Sequence, residues 1–225
     1  MGSPPVKAFG QGSDALAAWA ESVYRPEDEV LREIRERSAA AGLPTIQVGR
    51  FDGLHLEVLA HASAARSAVE IGTLGGYSGV CLLRGMGEGG FLHTFERDPR
   101  HAEVARESFR RAGVAARVEI HVGEAAERLR DVEGRGPFDL VFVDADKTGY
   151  PGYLAWAEAH LRVGGIVLAD NTFGFGHVHE ARPAGESAEA MAALRRFSER
   201  LAGGGRFRAT MLPTAEGLSL GVKLR

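Results

Sequence analysis

The chain has 225 residues, of which 44% are hydrophobic and 25% charged, and this composition predicts one α/β domain with a substantial core. The formal net charge is -3 and no basic run is interleaved with aromatic residues, so a nucleic acid is excluded as the expected partner. No apolar stretch is long enough to span a membrane and the first residues lack a signal-peptide pattern, so we expect a cytoplasmic protein without a membrane partner.

The first part of the chain predicts a flexible arm followed by helices. Residues 1–12 are rich in Gly, Pro and Ser, which is typical of a mobile terminus. Residues 13–225 are predicted to form a single domain whose segment 13–64 is a helical annex. Within this annex, apolar periodicity predicts helices over 15–24, with Asp14 as the cap, over 27–41 and over 51–60.

From residue 68 onward, short apolar runs alternate with helical patterns. Strands are predicted over 68–71, 91–95, 117–121, 138–143 and 166–169, and the intervening helices end near 84 or cover 99–112, 124–132 and 153–162. This alternation predicts a parallel sheet with helices on both faces. After a helix over 188–201, the runs 206–212 and 218–222 predict a hairpin that adds an antiparallel strand. Cys81 is the single cysteine of the chain, so an intrachain disulfide is excluded, and its side chain is expected in the core.

The stretch from Ala68 to Gly79 is a strand that ends in closely spaced glycines and leads into a helix. Glycines at this point let the backbone turn sharply and approach a nucleotide-like cofactor, although a plain turn is the alternative. Their spacing is not the G-x-G-x-x-G of a dinucleotide site, which argues against a nicotinamide dehydrogenase.

Polar residues follow several predicted strands, and the carboxyl ends of parallel strands share one edge of a sheet. Glu96 follows the second strand, where a carboxylate can accept the hydroxyls of a ribose, and Asp98 is placed to cap the next helix. The alternative for Glu96 is a solvated loop acid.

Asp144, Asp170 and Asn171 follow two later strands and offer hard oxygen ligands, which suit Mg²⁺ or Ca²⁺ rather than zinc. The alternative is that they only cap turns. Lys147 lies nearby, and a lysine beside a divalent cation can serve as a base near neutral pH because like charge disfavours its protonated form. The histidines of the following segment, His177 and His179, are expected to be solvated.

These motifs together resemble the cation-dependent O-methyltransferases, which include the catechol and caffeoyl-coenzyme A O-methyltransferases. The resemblance is carried by Val69-Glu70-Ile71-Gly72, Gly76-Tyr77-Ser78, the run from Phe142 to Lys147, and Asp170-Asn171-Thr172. It implies a Rossmann-like, seven-stranded, mostly parallel sheet with an antiparallel last strand. It also implies S-adenosylmethionine as cofactor, Mg²⁺ or another divalent cation such as Mn²⁺ or Ca²⁺, a catechol-type aromatic acceptor, and a homodimer.

The resemblance also implies roles for individual residues. The expected cofactor-binding residues are Val48, Glu70, Gly72, Tyr77, Ser78, Glu96, Gly123, Ala125 and Asp144; the metal ligands are Asp144, Asp170 and Asn171; and the catalytic residues are the base Lys147 together with Asp144. Phe173-Gly174-Phe175 and the segment Gly49 to Asp52 depart from the family pattern and leave the acceptor open. A metal-independent methyltransferase of the same fold and a non-catalytic S-adenosylmethionine-binding protein are the remaining alternatives.

Overall fold

The computed structural model describes residues 13–180 and 187–225, so the expected N-terminal arm lies outside the described residues. The described part of the chain begins with three helices, α1 (Asp14–Tyr24), α2 (Glu29–Ala40) and α3 (Arg50–Ala62). The prediction that Asp14 caps α1 is wrong. The Ser13 side chain accepts a hydrogen bond from the backbone N–H of Leu16 at 3.3 Å, because Asp14 already lies inside the helix.

A seven-stranded sheet follows, with strand order β3-β2-β1-β4-β5-β7-β6. Its strands are β1 (Ser67–Ile71), β2 (Phe91–Glu96), β3 (Val118–Val122), β4 (Phe138–Val143), β5 (Leu161–Ala169), β6 (Phe207–Leu212) and β7 (Leu218–Lys223). The strands β1 to β5 are mutually parallel, while β7 is antiparallel to both β5 and β6. This confirms the predicted fold class, the C-terminal hairpin and the antiparallel last strand.

Five helices connect or cover these strands: α4 (Tyr77–Met86), α5 (Pro99–Arg111), α6 (Ala125–Arg128), α7 (Tyr150–His160) and α8 (Ala188–Gly203). Asp98 caps α5, as predicted, since its side chain accepts from the Arg100 N–H at 2.8 Å. The helix predicted over 124–132 is shorter than expected, because α6 continues as a 3₁₀ helix from Leu129 to Arg135.

Two further element bounds differ from the predictions by more than two residues. Helix α7 begins at Tyr150 rather than at 153, because Pro151 occupies the first turn, where its missing N–H is not needed. Strand β5 begins at Leu161 rather than at 166. Gly164 and Gly165 lie within the strand, beside a shift of register against β4.

The sheet separates two hydrophobic cores. Because side chains alternate along a strand, Ala68 and Leu140 pack toward α2 to α5, whereas Val69 and Val141 pack toward α7 and α8. Cys81 is fully buried in the first core, as predicted, and this burial raises the pKa of its thiol. In the described ranges, no helix has the length and apolar character needed to cross a membrane.

Candidate active site

The carboxyl ends of β1 to β5 are tied together by backbone hydrogen bonds. The N–H groups of Gly72, Gly123, Asp144 and Asp170, each just after a strand, donate to carbonyls at the ends of neighbouring strands, at 2.8 to 3.0 Å. The structure therefore brings the predicted residues that follow these strands to one edge of the sheet.

Gly72 is the point where the glycine loop crosses the end of β4. Its φ is 102°, and a Cβ built on it would lie 2.0 Å from the backbone oxygen of Asp144. No L-residue with a side chain fits there without moving one of the two strands. Gly72 thus allows the loop to pass directly over the end of β4, next to the predicted metal ligand Asp144.

Glu70 lies beneath this loop and is fully buried. Its carboxylate accepts hydrogen bonds from Ser78 and from Thr94, both at 2.6 Å. Burial raises the pKa of Glu70 to about 7, although both hydroxyls act in the opposite direction. In this arrangement Glu70 and Ser78 hold the loop to the sheet, and direct contact of either with a cofactor stays a prediction.

Glu96 ends β2 and is 7% exposed. One carboxylate oxygen accepts from the N–H of Leu74 at 2.8 Å, and the other accepts from the N–H of Asp98 at 2.9 Å. Leu74 has a φ of 49°, an unfavourable conformation for leucine that Glu96 helps to hold. Each carboxylate oxygen can accept more than one hydrogen bond, so ribose recognition by Glu96 is compatible with these contacts.

Of the remaining predicted cofactor residues, two lie beside this edge of the sheet and two have side chains that pack in the core or against the annex. Gly123, with a φ of 135°, and Ala125, the first residue of α6, follow β3 beside the end of β2. Val48 precedes α3 and its side chain is buried in the core. The Tyr77 side chain instead contacts the annex: its hydroxyl donates to Glu27 at 3.0 Å, so its side chain reaches away from the strand ends.

Lys147 lies at the centre of the predicted metal and base cluster. Its ammonium nitrogen donates to Asp144 Oδ1 at 3.2 Å, to Asn171 Oδ1 at 2.8 Å and to the Tyr150 hydroxyl at 2.7 Å. The side chains of Lys147 and Asp144 are 15% and 19% exposed, so the cluster is shielded but reachable from solvent. The predicted base and two of the three predicted metal ligands are therefore in direct contact.

Tyr150 is a member of this cluster that sequence reasoning missed. It is fully buried, and its hydroxyl donates to the backbone oxygen of Asp170 at 2.8 Å while accepting from Lys147. Burial is the main cause that raises the pKa of Tyr150 well above its usual value, and the negative charges of the nearby acids raise it further. The position of Tyr150 in the sequence, three residues after Lys147, is the one indication of this contact. The 3₁₀ turn over Lys147–Gly149 brings residues at this spacing together.

Asn171 and the following residues are fixed by the C-terminal hairpin. Asn171 has a φ of 57°, a left-handed conformation that asparagine tolerates better than most residues. The Thr172 hydroxyl donates to the Gly217 oxygen at 2.9 Å, and a Cβ on Gly217 would lie 2.7 Å from the Phe173 ring. The ring of Phe173 is thus packed against this turn, whereas Phe175 is 48% exposed.

The oxygen atoms at the ends of β4 and β5 fit a hard divalent cation. Asp144 and Asn171 direct oxygens to one point, where the Lys147 ammonium lies, and the Asp170 carboxylate at the end of β5 is fully buried. A buried carboxylate is stable only with donors or a cation nearby. The donor set of two carboxylates and an amide is the kind that Mg²⁺ and Ca²⁺ prefer.

The two loop histidines are not part of this cluster as described. The side chain of His179 is exposed, as expected. His177 is half-buried and lies 3.0 Å from Glu180 through Nδ1, so it is less solvated than predicted.

A sequence model of the O-methyltransferase family matches residues 20–224. Catechol O-methyltransferase of Mycobacterium tuberculosis is 44% identical over 179 residues, which are 79% of this chain and 79% of that protein. Catechol O-methyltransferase of Niastella koreensis is 37% identical over 188 residues, covering 83% of this chain and 84% of the relative. The crystal structure of an O-methyltransferase from Bacillus cereus in complex with SAH superposes with a TM-score of 0.85 at 35% identity, over 93% of this chain and 97% of that one.

Proposed function

The chain belongs to the O-methyltransferase family and is an S-adenosylmethionine-dependent O-methyltransferase, and from this premise we propose that it methylates one hydroxyl of a catechol-type aromatic molecule with the help of a divalent cation. The observation that carries the proposal is the convergence of the Asp144 and Asn171 oxygens on Lys147. The names of the two catechol O-methyltransferases support the same acceptor class.

The candidate metal ligands in this proposal are Asp144, Asp170 and Asn171. A cation held there supplies positive charge that lowers the pKa of an acceptor phenol, which is about 10 in water. Three protein ligands are fewer than the oxygens that Mg²⁺ takes, so a cation held there would remain accessible to the acceptor.

Lys147 acts as the base in this proposal. Its nitrogen, in the neutral form, takes the proton of the acceptor hydroxyl and later releases it to solvent. The acceptor oxygen then forms a bond to the methyl carbon of S-adenosylmethionine as the carbon–sulfur bond breaks, and the electron pair of that bond stays on sulfur. Well-oriented reactants can gain roughly 7 to 11 kcal/mol over free ones, so positioning by the strand ends accounts for much of the rate.

Tyr150 and Asn171 keep the base in place. Both accept hydrogen bonds from Lys147, and Tyr150 is itself anchored to the backbone of Asp170. This arrangement restrains a long, flexible side chain in one orientation. Phe173, packed against Gly217 two residues after Asn171, is the side chain proposed to contact the aromatic ring of the acceptor.

Metal dependence is tested by removing the cation and by removing one candidate ligand charge. Methyl transfer to a catechol should disappear with a chelator and return with Mg²⁺. Asp170→Asn should abolish the response to Mg²⁺ while S-adenosylmethionine still binds in calorimetry. Asp139→Asn is the matched control, because Asp139 lies near the start of β4, away from the strand ends, and should keep the response. Full activity in metal-free buffer would favour the metal-independent alternative.

The acceptor class is tested with a pair of substrates that differ by one hydroxyl. Two adjacent phenolic oxygens can fix the ring as well as the nucleophile, whereas one oxygen leaves the ring free to rotate. We expect a catechol to turn over much faster than the corresponding monophenol at saturating S-adenosylmethionine and Mg²⁺. Equal rates would contradict the vicinal-diol acceptor but not the methyltransferase activity.

The homodimer expected from the resemblance stays a prediction. Light scattering in solution tests it.

A further inference from the structure

A second cluster of metal-ligating side chains lies on β2 and β3, before the strand ends that carry Glu96 and Gly123. His93 belongs to β2, and Glu119 and His121 belong to the neighbouring strand β3. In the register of these strands His93 pairs with Glu119, and His121 is the next residue of β3 on the same face. The cluster is therefore built on two hydrogen-bonded strands rather than on a loop.

The distances between the donor atoms match those of a bound metal. His93 Nδ1 lies 3.2 Å from His121 Nε2 and 3.5 Å from Glu119 Oε2, and one ligand atom from each residue falls within 4.8 Å of the others. In a tetrahedral zinc site with Zn–N bonds of about 2.0 to 2.1 Å, two ligand nitrogens are separated by about 3.3 Å. The Glu119 carboxylate is the third ligating group within this range.

Aromatic neighbours hold the two imidazoles in place. The His121 ring is stacked on Phe95 with 4.7 Å between centroids, and the His93 ring contacts Phe91 at 5.1 Å. His93 is 3% and His121 8% exposed, whereas the side chain of Glu119 is 46% exposed. The nitrogen ligands are thus fixed, and the exposed carboxylate marks the side from which an ion can enter.

Burial lowers the pKa of His93 to about 4 and also lowers the pKa of His121, which favours the neutral imidazole that ligates metals. The charges acting on His121 are mixed, with Glu119 and Asp131 opposed by Arg128 and Arg135. The surroundings therefore do not exclude a cation by excess positive charge.

A plain hydrogen bond between the two histidines is the simpler explanation of their contact. This hydrogen bond accounts for the 3.2 Å separation of the two imidazole nitrogens. It does not account for the position of Glu119, because 3.5 Å from the Glu119 oxygen to His93 is long for a hydrogen bond. Two imidazoles and one carboxylate form a donor set that suits Zn²⁺, Co²⁺, Ni²⁺ or Cu²⁺ better than Mg²⁺.

We propose that His93, Glu119 and His121 bind one transition-metal ion of the Zn²⁺ class, with water as a further ligand, at a site separate from the candidate active site. The ion ties the edge strand β3 to β2. It acts on stability rather than on chemistry, because the strand ends that carry Glu96 and Gly123 lie further along both strands.

The experiment is a Zn²⁺ and Co²⁺ titration of tag-free, chelator-treated protein in excess Mg²⁺, which keeps the hard oxygen ligands occupied. We expect one Zn²⁺ per chain in a competition assay with a chromogenic chelator, a visible absorption band of tetrahedral type with Co²⁺, and a melting temperature raised by several degrees. Glu119→Gln and His121→Asn should each weaken Zn²⁺ binding by roughly tenfold or more.

Two control variants separate this site from other sources of Zn²⁺ binding. His61→Asn, at an exposed histidine of α3, and Asp144→Asn, in the candidate active site, should both bind Zn²⁺ like the parent protein. Absence of Zn²⁺ uptake by the parent, or equal uptake by Glu119→Gln, would overturn the proposal. Glu119 is exposed, so its variant gives a clear answer even if His121→Asn does not fold.

Discussion

Replacing Glu70 with glutamine should change how the stability of the protein depends on pH. Glu70 is fully buried and its pKa is raised from 4.5 to about 7. The folded protein therefore retains a proton that the unfolded chain releases. The stabilisation from this proton is complete below pH 4.5 and is lost as the pH rises through about 7. At about 1.4 kcal/mol per pKa unit, the full loss is about 3 kcal/mol.

Glutamine preserves the shape of Glu70 and can still bond to Ser78 and Thr94, but it does not titrate. The assay is urea unfolding of both proteins at a series of pH values from 4.5 to 8. The difference in unfolding free energy between variant and parent should shift by about 3 kcal/mol in favour of the variant across this range, because contributions from other groups cancel.

The exposed Glu88, replaced by glutamine, is the matched control, and its profile should run parallel to that of the parent. The reasoning would be refuted if the unfolding free energy of Glu70→Gln also ran parallel to that of the parent protein across this pH range. Such a result would mean that Glu70 is ionised in the folded state at low pH, with its charge balanced by Ser78, Thr94 and neighbouring groups.

Four further variants test the candidate active site. Lys147→Ala should lower kcat by roughly 10² to 10⁴ if Lys147 is the base, and parental rates across pH would exclude this role. Tyr150→Phe should lower kcat without changing the KM for S-adenosylmethionine, and it should cost about 1 to 3 kcal/mol of stability because a buried carbonyl loses its donor. Glu96→Gln should weaken S-adenosylmethionine binding by roughly tenfold or more in calorimetry; an unchanged affinity would remove Glu96 from the ribose site. Gly72→Ala should melt far below Gly42→Ala, because both glycines have positive φ but only at Gly72 does a Cβ meet backbone, and equal melting temperatures would count against this steric reading.

The sequence predicted the order of the strands along the chain and the class of the fold because buried parallel strands are short, apolar and bounded by turn residues. The run Phe138–Val143 was predicted at its observed bounds, since it is apolar apart from Asp139 and is followed by Asp144. Strand β5 was predicted five residues short, because Gly164 and Gly165 resemble a turn unless the neighbouring strand is known.

The members of the candidate active site were easier to predict than their contacts. Asp144, Asp170 and Asn171 could be grouped because they follow adjacent strands. The hydrogen bond from Lys147 to Tyr150 could not, because it depends on a 3₁₀ turn whose sequence, Lys-Thr-Gly, carries no strong local signal. The His93 cluster was missed for a related reason: its residues come from different strands, and only the strand register places them together.

The architecture of the sheet explains why its edge can position reactive groups accurately. Residues just after β1, β3, β4 and β5 are fixed by backbone hydrogen bonds to neighbouring strands, so their positions depend on sheet register rather than on loop packing. Lys147, the base in our proposal, comes instead from the short turn that follows β4. A change of acceptor specificity can therefore arise in the segment after Asn171, around Phe173 and Phe175, without disturbing the strand ends. This separation accounts for a methyl-transfer site that resembles its family closely next to a segment that departs from it.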